Sequence, residues 1–150
     1  MKLLQSTSFI LISFLLVGCM GKSIRSDNFR NQINVFGIEL LSSVDHRELK
    51  GVSATEEPCL KGYERSFDAL DIIIGYGFNH KIRRITTRNP RTCMFGISPG
   101  LPFREGRGKI LQAGFVDSVP PYQFKADGCS FTFLVDGNGI IFGLTIELID

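Results

Sequence analysis

Tryptophan is absent, and histidine occurs only twice, at His46 and His80, in a 150-residue chain that holds 13 phenylalanines. So few histidines, and four cysteines without a Cys-x-x-Cys, exclude the common structural zinc centres, and no metal is expected. Neither Gly-x-Ser-x-Gly nor His-Glu-x-x-His is present, which removes the signatures of α/β-hydrolases and zinc peptidases. An excess of one charge is also missing. With 17 Lys and Arg against 15 Asp and Glu, the formal net charge of +2 does not suit a nucleic-acid-binding surface. Nor is there a long hydrophobic run: Phe9 to Val17 is about half the ~20 residues needed to span a bilayer. No cofactor is expected from any of these features.

What is present begins with a leader. Lys2 supplies a positive start, Phe9 to Val17 an uncharged apolar stretch, and Leu16-Val17-Gly18-Cys19 matches a bacterial lipobox. A thiol at that place can take a diacylglycerol as a thioether, and Gly18 leaves room for the peptidase that exposes Cys19 as the new N-terminus. Residues 1–18 are therefore expected to be a signal peptide, with Cys19 carrying N-acyl and S-diacylglycerol groups. Each buried methylene contributes ~0.8 kcal/mol, so several chains hold firmly where one holds marginally. The expected mature protein is anchored to a bacterial membrane, faces the periplasm and does not span the bilayer. Met20 follows the cysteine, which leans toward the outer membrane.

Loss of Lys2 with the leader lowers the formal charge from +2 to +1. Residues 19–32 are polar, carry Lys22, Arg25 and Arg30, and read as a tether. Residues 33–150 suffice for one domain with a core. Cys59, Cys93 and Cys129 remain for an oxidising compartment. One disulfide among them is plausible, with Cys59–Cys93 the favoured pairing and the connectivity open.

The domain contains an internal echo. "NVFGIELLSS" and "CMFGISPGLP" lie 59 residues apart, and holding that offset aligns ten identities, among them Phe36/Phe95, Tyr63/Tyr122, Asn79/Asn138 and Thr86/Thr145. Roughly three or four would arise by chance, so residues 33–91 and 92–150 read as two copies of one unit. The expected fold class is α+β: two tandem β-helix-β-β-β units forming an antiparallel sheet with the helices packed on one side. In each copy "FGI" is expected as a strand and "VDHRELKGVSA" or "PFREGRGKILQAG" as a helix. A strand around "YERSF" or "YQFKA" and a closing hairpin follow. Asp136-Gly137-Asn138-Gly139 is a strong hairpin signal, whereas "GFNHK" looks longer and less ideal. Ile140, Phe142, Leu144 and Ile146 are expected on one face.

Tandem units of this plan resemble BamE-like and β-lactamase-inhibitor-like proteins, a likeness of topology that carries no function. At "FGIELLSSVDHRELKGVSAT", "FGISPG" and "TFLVDGNGIIFGLTIE" the chain is also similar to the YafY-like small enterobacterial lipoproteins, over the whole mature body. That resemblance implies membrane anchoring through Cys19 and leans toward the inner membrane, so the choice of membrane stays open. It brings no catalytic residues.

No catalytic set emerges. His46 sits in a charged run and His80 at a turn, both expected as solvated surface residues. "GRGK", residues 106–109, lacks the full phosphate-loop pattern, and "VDGNG" has too few carboxylates for calcium. The informative oddity is "KIRRITTRNPR". Lys81, Arg83, Arg84, Arg88 and Arg91 crowd a strand whose counterpart is apolar, and Arg83 falls where Phe142 stands. They form a candidate docking patch for a partner or for anionic headgroups, or else a solvated edge strand guarded by its charges. The function expected is a non-enzymatic, lipid-anchored envelope protein that binds a protein partner as an assembly or accessory module. An inhibitor or immunity protein against a periplasmic enzyme is the alternative, and a cysteine-dependent envelope enzyme a further one.

Overall fold

Lys50-Gly51 takes positive φ at both residues (52° and 79°) and folds the segment expected to be the first helix into a two-residue hairpin. A computed structural model describes residues 29, 31–126 and 128–149; the expected leader, Cys19 and nearly all of the expected tether lie outside them. The elements are β1 (Ile33–Asn34), β2 (Glu48–Leu49), β3 (Val52–Ser53), β4 (Thr55–Cys59), β5 (Gly62–Phe67), β6 (Ile72–Gly77) and β7 (Ile82–Thr87). Then come β8 (Cys93–Met94), helix α1 (Phe103–Gln112), β9 (Val116–Asp117), β10 (Gln123–Ala126), β11 (Cys129–Val135) and β12 (Ile141–Leu148). Eight strands make one antiparallel sheet in the order β4-β5-β6-β7-β12-β11-β10-β9, and β1 pairs with β8 in a separate ribbon.

The architecture is therefore mostly β, and the α+β expectation of a helix from each copy is overturned. Among the described residues, beside one 3-10 turn at Asp68–Leu70, only α1 is a complete α-helix. It survives because Gly106 and Ile110 are buried, so the backbone can come close: a Cβ on Gly106 would lie 2.5 Å from Ile141 Cδ1 and 3.1 Å from Phe133 Cε1. Glu105 in its first turn and Lys109 in its last suit the helix dipole. The first-copy counterpart lacks such a close-approach glycine, and its own glycine falls where a hairpin turn forms. The "FGI" triplets are likewise turns, not strands. Phe36-Gly37 and Phe95-Gly96 have positive φ throughout, with Ile38 N–H donating to Val35 O (3.0 Å) and Ile97 N–H to Met94 O (2.9 Å).

Strands, turns and irregularities recur at the 59-residue offset. β7 and β12 meet at the sheet centre, where Thr86 pairs with Thr145 and their hydroxyls lie 3.0 Å apart. Asn34 pairs with Cys93 in the β1–β8 ribbon. Register shifts fall at Gly75/Tyr76 and at Leu134/Val135. The two closing turns match in length: Gly77 N–H donates to Lys81 O and Asp136 N–H to Ile140 O, each 2.9 Å. His80 (φ 59°) stands where the other turn has Gly139 (φ 76°). "GFNHK" is no longer than its counterpart.

One sheet face, under α1 and the β1–β8 ribbon, carries the core: Phe67, Ile74, Ile85, Phe131, Phe133 and Leu144 are all buried. Each such side chain contributes about 1.5–3 kcal/mol on burial. Phe29, within the stretch read as tether, is 1% exposed and packs on Phe95 and Phe115 at 5.4 and 5.2 Å. The opposite face is polar and half-buried, with Glu64, Ser66, Arg84, Thr86, Thr145 and Glu147. No described helix is long and apolar enough to cross a membrane.

Candidate functional site

The basic stretch was expected as one patch or one edge strand, and it is neither. β7 is bonded on both sides, to β6 and β12. The sheet edges are β4 and β9, and β4 carries its own protection in Glu56, Glu57 and the donor-less Pro58. The five cations divide between the two ends of β7, about 20 Å apart. Lys81, Arg83 and Arg84 lie at one end; Arg88 and Arg91 are exposed beyond the other, with the Arg88 guanidinium 5.8 Å from the Phe142 ring.

The bulges explain how Arg83 is tolerated. Tyr76 pairs with Ile82 and Gly75 with Arg84, so Arg83 is the extra residue. Phe142 is the extra residue in β12 and is 44% exposed; Ile141, Leu144 and Ile146 point inward instead of the expected set containing Ile140 and Phe142. Arg83 Nη2 donates to Leu148 O at 3.4 Å. Arg84 turns to the polar face and pairs with Glu64, while its Nε, buried, has no hydrogen-bond partner. Lys61 approaches Glu147 at 3.5 Å.

These groups surround a hollow of about 300 Å³ on the polar face, lined by Lys61, Glu64, Arg83, Arg84 and Glu147, with Cys59, Leu60, Gly75 and Tyr76 completing it. Beside it, a second hollow between the β4–β5 and β6–β7 turns is lined by Leu60, Lys61, Phe78 and Arg83. Leu60 is 98% exposed and Phe78 78%. The sequence put Arg83 and Arg84 in view but missed Lys61, Glu64, Phe78 and Glu147. An aromatic at 78, where the equivalent turn position is Gly137, was the available signal.

On the core face lies a second polar cluster. Arg65, 4% exposed, occupies the place held by Phe124 in the second half. Its guanidinium pairs with Asp45 and with Glu56 at 2.7 Å, and stands 5.3 and 5.4 Å from the stacked rings of Tyr63 and Tyr76. Burial opposes its charge, but the hydrogen bonds to Glu56 and Asp45 outweigh that and raise its pKa. Hydrogen bonds from Arg47, then Arg65, hold the Asp45 carboxyl below the usual carboxylate range. Tyr76 Oη donates to Val44 O (3.2 Å) and accepts from His46 N–H (3.1 Å). The cluster clips residues 44–46 onto the sheet, a structural task.

The remaining candidates are dispersed. His46 is half-buried, with its pKa lowered by burial, rather than simply solvated. His80 is exposed, its Nδ1 3.4 Å from Tyr63 Oη. Cys59 and Cys93 are unbonded and in different sheets; Cys129 is buried, its thiol pushed up to about 11. A thiol so poorly ionised is a weak nucleophile. Residues 106–109 lie inside α1, and Asp136-Gly137-Asn138-Gly139 is a hairpin turn whose Asp136 Oδ1 accepts from Asn138 and Ile140 N–H at 2.9 Å each. Among the described residues no three His, Cys, Asp or Glu side chains are grouped to hold a metal. Comparisons with protein-family models, curated proteins and solved structures return no match.

Proposed function

We propose that this protein is a non-catalytic, lipid-anchored module of the bacterial envelope that binds another protein through the polar face of its sheet. The anchor rests on the leader and lipobox ending at Cys19. The observation that carries the binding role is the hollow of about 300 Å³ lined by Lys61, Arg83 and Arg84 together with Glu64 and Glu147, beside apolar Leu60. It suits a polypeptide segment bringing an apolar side chain flanked by carboxylates, because three cations there face two acids.

A photo-cross-linking residue at Glu147, placed in intact envelopes, tests it against the same residue at Glu48 on the β2–β3 hairpin. One discrete protein adduct should form from position 147 only, and Arg83→Glu with Arg84→Glu should abolish it while thermal unfolding shows the fold retained. Adducts to lipid alone, or an adduct indifferent to the charge reversal, would sink the binding role. Metabolic labelling with a fatty-acid probe should mark the wild-type chain and leave Cys19→Ser unmarked.

A further inference from the structure

The two most exposed large apolar side chains at one end of the sheet are Leu60, in the β4–β5 turn, and Phe78, in the β6–β7 turn. The hollow they share also takes in Lys61 and Arg83, and Lys81 follows in the same turn, exposed. The fold does not require a ring at 78. The equivalent turn in the second half makes the same backbone hydrogen bond with Gly137 at that position. Nor does it require Leu60, whose side chain is almost wholly in water. Two protruding apolar tips flanked by cations match a planar anionic surface, where the side chains enter the acyl boundary while the ammonium groups meet phosphates.

We propose that this end of the sheet docks into an anionic lipid bilayer through Leu60 and Phe78, with Lys61 and Lys81 on the headgroups, while the half-buried Arg83 stays with the protein-binding hollow. Docking is separate from the lipid at Cys19 and would set the orientation of the domain on the membrane. The opposite corner of the sheet provides an internal contrast. Val119 stands at the position equivalent to Leu60 and is 92% exposed, but Pro120 follows it where Lys61 follows Leu60, and the nearby Asp117 is paired with Arg107 at 2.7 Å.

The absence of tryptophan makes the test direct. Full chain purified from envelopes is reconstituted in phosphatidylcholine vesicles, with or without phosphatidylglycerol, containing lipids brominated on their acyl chains. The variants are Phe78→Trp, Leu60→Trp and Val119→Trp. With phosphatidylglycerol, tryptophan at 78 or 60 should shift to the blue and lose most of its emission, while that at 119 keeps it. Lys61→Glu with Lys81→Glu should restore emission at 78. Equal quenching at all three positions, none at any, or quenching indifferent to phosphatidylglycerol would overturn the proposal. So would a shift that appears only when envelope proteins are added, which would assign the tips to a protein partner. Failure of the anchor is read separately, from the mass of the N-terminal peptide.

Discussion

The two halves of the sheet share strand order, closing turns and bulges, yet they solve the same burial problem by different chemistry. In the second half, α1 lies on the sheet through Gly106, and Phe103, Phe124, Phe131 and Phe133 interlock with ring centroids 5.1–5.5 Å apart. In the first half no described helix covers the sheet. Arg65 takes the place of Phe124, and its pairing with Asp45 and Glu56 draws an irregular loop over the tyrosines. A phenylalanine core tolerates no water and defines its own cover. A buried guanidinium must be given carboxylates, so its cover is whatever segment can deliver them. The polar half is also the half whose turns carry Leu60, Lys61 and Phe78.

The largest effect should come from truncating the apolar half. Phe133→Ala should cost about 3–5 kcal/mol, as large core-to-alanine changes do. Arg65→Ala should cost less, about 2 kcal/mol, because Asp45 and Glu56, with side chains 45% and 55% exposed, can return to water. Urea denaturation of both variants measures the difference; equal losses would mean that the polar cluster is as indispensable as the aromatic one.

The glycines of α1 sharpen the account of its packing. Gly106→Ala should destabilise by about 1–2 kcal/mol, since its Cβ meets Ile141 and Phe133. Gly108→Ala meets nothing within 4 Å and should stabilise by up to about 1 kcal/mol through helix propensity. Thermal melts of the pair should move in opposite directions, and a shared direction would refute close packing at Gly106. At the junction of the halves, Thr86→Val should cost about 0.5–1 kcal/mol for the hydrogen bond to Thr145, measured by the same denaturation.

Acid should act through Asp45 and His46 in the first half. The Asp45 carboxyl is held below its ordinary 3.8, so its stabilisation is present above that value and is lost as pH falls through the lower folded value. Burial lowers His46 below its ordinary 6.5, so the unfolded chain takes up that proton first, and stability begins to decline as pH drops below 6.5. Denaturation midpoints across that range should fall less steeply in Asp45→Asn with His46→Gln than in wild type. Gly108→Ala should leave the slope unchanged.

Hairpins were legible because their signals are local: Asp136-Gly137-Asn138-Gly139 carries its own conformational preference, and the offset of 59 exposes the partner turn in "GFNHK". The helix of the first half was misread because polar composition alone does not separate a helix from a clipped loop. Lys50-Gly51 was the overlooked clue. The bulges that turn Arg83 and Phe142 outward are set by pairing with β6 and β11, and simple alternation cannot anticipate an inserted residue. The place of β7 at the sheet centre was equally hidden, since strand order depends on contacts between distant segments.

The amino-acid sequence by itself determined the near-neutral charge, the 59-residue echo and the turn positions, all properties read along the chain without its fold. Only tertiary structure decided that a basic strand is interior, that its cations part company, and that Arg65 is buried among tyrosines and carboxylates. Those outcomes depend on which distant groups share the low-dielectric interior, and proximity in space is established by packing rather than by order along the chain.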